Sequence, residues 1–400
     1  MDKIARQGSV ASMMRRTLRD GSVRSALFVF ALTRGLVFTV FVLTTHFVMV
    51  NPPVPMGEFQ EPVIELHGRT IVQRLRPLAY RGDGGWYVGT AKDGYEHRAF
   101  DSTEQHNWAF FPLYPLSLHL AARITGGFLL TGMLLSNIFF LPALILLHKT
   151  ALAFGLDEEG ADRTIFYLAA FPTSYFFSLP QTESLFLLVT VGSFYAAVRS
   201  RWWLAGAVGA LATATRFSGV FLVPALALLY WKRYGFRPRA NVLWLLLVPL
   251  GLLSFMLYLH ILTGNAFAFK DVLVAWGRTT GFFLRTLFDY LAHFRVVSES
   301  WNFRALNFAA AVLALASGVV LARRREWSLS LYTLLSIIAP LSSLLLQSHA
   351  RYVLTIFPVF MVLAGWGRRP LVDQTIRVVF IALLALMAAL FAAHFSIAMS

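Results

Sequence analysis

One carboxylate sits among three glycines with two aromatic rings directly behind it, in the run Arg81-Gly82-Asp83-Gly84-Gly85-Trp86-Tyr87. Glycines let backbone and ligand approach closely, and the flat faces of Trp86 and Tyr87 suit sugar rings. Asp83 could therefore act as a general base beside a hydroxyl acceptor. A quieter reading of the same residues has Asp83 closing a Gly-rich turn on its own backbone, with the rings as interfacial anchors. Asp93-Gly94-Tyr95-Glu96 and Ala109-Phe110-Phe111-Pro112-Leu113-Tyr114-Pro115 follow in the same segment.

Four more ionisable groups stand beside long apolar runs: Glu183, Arg216, His349 and Arg351. Charge near membrane depth is expensive, so such groups are functional candidates by default. Arg216 reads either as a phosphate ligand or as a side chain snorkelling to the headgroups. Arg351 with His349 close by could stabilise a departing phosphate. Glu183 opens an apolar run behind Thr182, where a carboxylate could instead cap a helix and meet its macrodipole. Arg34, inside the first apolar run, reads as paired or snorkelling near one end of its helix.

The elements that must position these groups are membrane helices. Hydrophobic residues make up 57% of the 400 and charged ones 14%, so the solvent for most of the chain is lipid. Apolar runs of spanning length cover 25–50, 127–147, 164–180, 182–198, 240–262, 303–322, 328–346, 351–367 and 375–396. The run 202–231 has basic residues on both flanks, which a tight hairpin around Arg216 satisfies. The expected fold is an all-α polytopic bundle of about eleven transmembrane helices.

The net charge of +15 reports topology, because Lys and Arg fall in short clusters between apolar runs and not in a nucleic-acid-binding patch. The tail 1–24, Lys149 with Arg163, Arg199 with Arg201, Lys232 to Arg239, Arg323 to Arg325, and Arg368, Arg369 and Arg377 share one side under strict alternation. The positive-inside rule makes that side the cytoplasm. The first apolar run is too long for a signal-peptide core and reads as a retained signal anchor.

Two long segments, 51–126 and 263–302, then lie outside, together with Asp83, Glu183, Arg216, His349 and Arg351. Leu284, Leu287, Phe288, Leu291 and Phe294 recur at helical spacing, which predicts an amphipathic helix on the membrane surface. No linker divides the chain, so 1–400 reads as one membrane domain. With no cysteine, disulfides and thiolate chemistry are excluded. His67, His97, His106 and His119 show no metal-ligand spacing, and no cofactor is called for.

The Asp83 to Pro115 segment resembles the PIG-V-type mannosyltransferases, the GPI mannosyltransferase 2 family of the GT-C class of membrane glycosyltransferases. Asp83, Trp86-Tyr87, Gly94-Tyr95 and Ala109 to Pro115 stand in the family's order. Phe171-Pro172-Thr173-Ser174-Tyr175-Phe176-Phe177 with Thr182-Glu183-Ser184-Leu185-Phe186 matches a second block. Ala214-Thr215-Arg216-Phe217-Ser218-Gly219 and Arg351-Tyr352 with Phe357-Pro358 are weaker matches. Gly82 replaces the Trp usual before the Asp, and Phe217 replaces a Pro, which leaves the substrate open.

The resemblance implies a GT-C-like bundle with a large first extracytoplasmic loop. It implies transfer of a hexose, mannose in the family, from a polyprenyl-phosphate donor to a hydroxyl of a lipid or glycan acceptor. Asp83 would be the base, with Trp86, Tyr87, Tyr95, Glu183, Arg216, His349 and Arg351 binding substrate. The bacterial plasma membrane is the expected location and the endoplasmic reticulum the alternative. A polyprenyl-linked lipid flippase or transporter is the rival reading. It predicts internal repeats and mid-span carboxylates, and the sequence shows neither.

Overall fold

The computed structural model describes residues 20–47, 70–235, 237, 239–298 and 302–398. The basic tail up to Arg19, the start of the first long loop with His67, and residues 299–301 lie outside the described residues. The molecule is an all-α polytopic membrane protein. Five helical stretches among the described residues are long and apolar enough to cross a bilayer: α1 (Gly21–Phe47), α5 (Leu129–Ala153), Ala240–Thr263, α13 (Arg304–Arg323) and α17 (Pro370–Ala392). Their outward residues, such as Phe28, Leu134, Leu257 and Val378, are exposed and face the lipid region, while Phe41, Leu144 and Phe391 are buried between helices.

The described part of the first long loop, from Thr70 on, holds α2 (Ile71–Tyr80), α3 (Asp83–Asp93) and α4 (Leu113–Thr125). Then follow α6 (Glu158–Ala170), α7 (Glu183–Val198), α8 (Trp202–Thr215), α9 (Leu222–Tyr234), α10 (Leu250–Thr263) and the single turn α11 (Ala268–Asp271). α12 (Phe283–Ala292) holds Leu284, Leu287, Phe288 and Leu291 of the expected 271–295 helix, with Phe294 beyond its end, and leaves Phe288 and Leu291 exposed while Tyr290 packs inward. α14 (Trp327–Leu341), α15 (His349–Val353) and α16 (Pro358–Trp366) complete the bundle.

Several apolar runs that read as single spans are broken, each at a proline. The 164–180 run is α6 followed by a 3-10 turn at Ser174–Ser178, with Pro172 between them. The 351–367 run divides into α15 and α16 before Pro358, and Ala240–Leu247 is 3-10 up to Pro249. Proline removes a donor and disfavours helix in the residue before it. The predicted hairpin break falls at Arg216, whose backbone is extended between α8 and a 3-10 turn.

Unwound backbone in lipid must find partners within the protein. Arg34 supplies them here. Its guanidinium donates to the Ser174 and Ala169 carbonyls at 2.7 and 2.9 Å and to the Ser174 hydroxyl at 3.0 Å, and lies over the Phe140 ring. Arg34 is buried, so it does not snorkel, and among the described residues it pairs with carbonyls and hydroxyls and not with a carboxylate; it clamps the break that leads to Glu183.

Helix ends segregate to two faces. On the basic face Asp20 meets Lys149 at 2.7 Å, Lys232 meets Glu326 at 2.9 Å, and the Tyr167 hydroxyl reaches Asp373 at 2.6 Å. Asp83, Glu183, Arg216 and Arg351 gather at the other end.

Candidate active site

Asp83 is the first residue of α3, and two glycines set it there. Gly82 has φ +56°, a region that favours glycine. At Gly84 a Cβ would stand 2.3 Å from the Ala79 carbonyl oxygen, so only hydrogen fits between α2 and α3. The Asp83 carboxylate is consequently fixed at a tight corner and is 38% exposed, open to a ligand.

Across from it stands Arg351 on α15. Its Nη1 donates to Asp83 Oδ2 at 2.6 Å, while its Nε donates to Glu183 Oε1. Arg216 Nη2 donates to that same Glu183 oxygen, and Arg216 Nε donates to the Thr182 hydroxyl at 2.7 Å. Tyr87 closes the group, its hydroxyl 3.3 Å from Thr182 Oγ1. Arg351 also lies over the Phe176 ring at 4.8 Å.

Glu183 is fully buried in the first turn of α7, where it is the counter-ion shared by two guanidiniums. Its other oxygen, Oε2, has no hydrogen-bond partner among the described residues. Two carboxylates against two guanidiniums leave the cluster neutral. Such a group tolerates burial only as a unit, because removing one member strands a charge in low dielectric.

The aromatic walls are Trp86, stacked on Phe110 at 5.5 Å, and Trp276, edge-on to Trp86 at 5.8 Å. Tyr95 lies further out, packed against Phe255 and Tyr258, and its hydroxyl is taken by the Phe110 carbonyl. Burial pushes the Tyr95 phenol well above its usual range, so it stays a donor.

The structure does not bring His349 into the ion-paired group. Its ring packs edge-on to Tyr352, whose hydroxyl accepts from Arg278 at 2.8 Å, and both imidazole nitrogens lack hydrogen bonds of good geometry. Sequence reasoning missed Thr182 and Phe176. Both stand in the second matching block, Thr182 directly before Glu183, which was the signal for them.

In its fold the helical membrane bundle resembles the GT-C membrane glycosyltransferases. The fold is similar to that of ArnT from Cupriavidus metallidurans, solved bound to undecaprenyl phosphate. That match has a TM-score of 0.51 at 12% identity and covers 92% of this chain and 74% of that one. The mannosyltransferase (PIG-V) family model matches residues 70–281, and the chain belongs to that family.

Among curated relatives it is 30% identical to GPI alpha-1,6-mannosyltransferase 2 of Cricetulus griseus over 187 residues, 43% of this chain and 35% of that protein. It is 25% identical to the Rattus norvegicus protein over 215 residues, 50% of this chain and 42% of that one. The matches thus span well under half the length of these relatives.

Proposed function

We propose that the chain transfers a hexose, mannose by family, from a polyprenyl-phosphate-linked donor to a hydroxyl of a lipid or glycan acceptor, on the face opposite the basic one. The observation that carries this reading is the cluster Asp83–Arg351–Glu183–Arg216 at one end of a lipid-embedded bundle. The undecaprenyl phosphate held by ArnT supports a donor of that chemistry. The positive-inside rule makes the reacting face extracytoplasmic, with 51–126 as the catalytic loop, 263–302 as the second external loop and 1–24 as a cytoplasmic tail.

In the proposed reaction the acceptor oxygen attacks the anomeric carbon while Asp83 takes its proton. The bond from that carbon to the donor phosphate breaks with inversion, and the polyprenyl phosphate leaves with the electron pair. Arg216 and Arg351 carry the developing phosphate charge. Glu183 holds both guanidiniums by one oxygen and so fixes them before substrate arrives, and preorganised charge of this kind is usually the largest catalytic contribution. Trp86 and Tyr87 flank the position a sugar would take next to Asp83.

The deciding experiment is transfer from radiolabelled polyprenyl-phosphate mannose to a membrane extract, by protein in lipid nanodiscs. Transfer by the wild type and none by Asp83→Asn supports the assignment. Carrier lipid moved between leaflets without transfer replaces it with the flippase reading.

A further inference from the structure

At the opposite, basic end the bundle holds a cavity of about 250 Å³ between the start of α6, the end of α13, the start of α14 and the end of α16. Arg324 and Arg368 line it. No carboxylate among the described residues pairs with either guanidinium. The two acids on its wall are engaged elsewhere: Glu326 is held by Lys232 with 2.9 Å to both oxygens, and Asp157 accepts from the Gly160 amide at 2.8 Å. Asp157 also stands 3.9 Å from Arg163 Nη2, so the cavity presents two guanidiniums that form no ion pair with a carboxylate among the described residues.

Its other walls are apolar, formed by Leu321, Leu329 and Met361. Next in the chain to the lining residues Glu326 and Gly365 stand Trp327 and Trp366, 56% and 38% exposed at the start of α14 and the end of α16. Exposed tryptophans at helix ends mark the headgroup level of a bilayer. Gly365 lies on the wall beside Arg324, where a Cβ would stand in ordinary contact with Nη1 at 3.4 Å. Cations at headgroup depth above an apolar floor, in a space the size of a phosphate with its glycerol, match one ligand chemistry: a phosphate ester attached to acyl chains.

We propose that this cavity binds the headgroup of an anionic phospholipid of the leaflet on the basic side. Arg324 and Arg368 hold its phosphate, and its acyl chains lie against the α13–α14 surface. Occupancy ties together the ends of α13, α14 and α16, and α16 continues from α15, which carries Arg351. The bound lipid braces the scaffold of the distant site without touching it. This proposal is independent of the transfer reading.

The test uses full-length protein in nanodiscs of phosphatidylcholine alone or with phosphatidylglycerol. It reads the melting midpoint and, by native mass spectrometry after detergent exchange, the lipid retained. Wild type should retain phosphatidylglycerol and melt higher with it by on the order of 3 °C. Arg324→Gln with Arg368→Gln should lose both effects. Gly365→Leu, which keeps the charges and fills the space, should lose them too.

Arg199→Gln with Arg201→Gln, on the same face but outside the cavity, should lose neither. Equal loss in the two double variants would reduce the effect to general surface charge and overturn the site. So would wild type without preference for phosphatidylglycerol. The same stabilisation by inorganic phosphate in pure phosphatidylcholine would reassign the cavity to a soluble anion and overturn the lipid assignment.

Discussion

Arg351 and Asp83, 268 residues apart in the chain, meet with Nη1 2.6 Å from Oδ2. The same guanidinium reaches Glu183, so one side chain joins the exposed carboxylate at the start of α3 to the fully buried one at the start of α7. Through Glu183 the link extends to Arg216 and Thr182.

Replacing Asp83 by Asn keeps shape and removes the proton acceptor. Transfer should fall by about 10²–10⁴-fold, the usual contribution of a positioned base. The side chain is partly open to solvent and its neighbours remain, so the melting midpoint should stay near that of wild type. Initial rates and a melting curve on the same preparation check both halves. Full transfer by Asp83→Asn would remove the residue from the chemistry.

Truncating Arg351 to Ala leaves Glu183 with one guanidinium and Asp83 with none. Breaking a buried ion pair by removing one partner costs about 3–5 kcal/mol, and the side chain here is 4% exposed. Equilibrium unfolding in detergent should show a loss of that order. Glu183→Ala leaves Arg216 without a carboxylate and Arg351 with Asp83 alone, and should lose a comparable amount, whereas the pair replaced together should cost less than the sum. Additive losses would mean that the two groups do not act as a unit.

The corner at Gly84 allows the carboxylate's placement to be tested without touching its charge. Gly84→Ala drives a methyl group against the Ala79 carbonyl, which must displace the start of α3. Misplacing a reacting group by about an ångström costs on the order of 10²-fold in rate. Gly89→Ala on the same helix has open space around the new carbon and should transfer like wild type. Similar kcat values for the two variants would show that the turn does not set the geometry.

His349 is expected to be dispensable. Its two nitrogens are buried without good hydrogen bonds, and trading such a group for an apolar one is neutral or stabilising. His349→Leu should keep transfer within about threefold of wild type and unfold at the same denaturant or higher. A folded but inactive His349→Leu protein would give the imidazole a part in holding phosphate.

Hydropathy and charge clusters were enough to read the helical membrane class, the side on which basic residues gather and the break at Arg216. Those features depend on transfer of local segments between water and lipid, and each segment carries its own transfer energy. The blocks around Asp83, Glu183, Arg216 and Arg351 likewise stood in the sequence.

Which of these groups meet was decided by the tertiary structure. By sequence Glu183 read slightly better as a helix cap, Arg34 as a paired or snorkelling cation and His349 as the companion of Arg351. Instead Glu183 joins two arginines, Arg34 clamps the unwound backbone behind Phe171 and Pro172, and His349 turns to Tyr352. A buried charge must take whatever partner the converging helix ends bring within reach, and that convergence is a property of the packed bundle, not of any one segment.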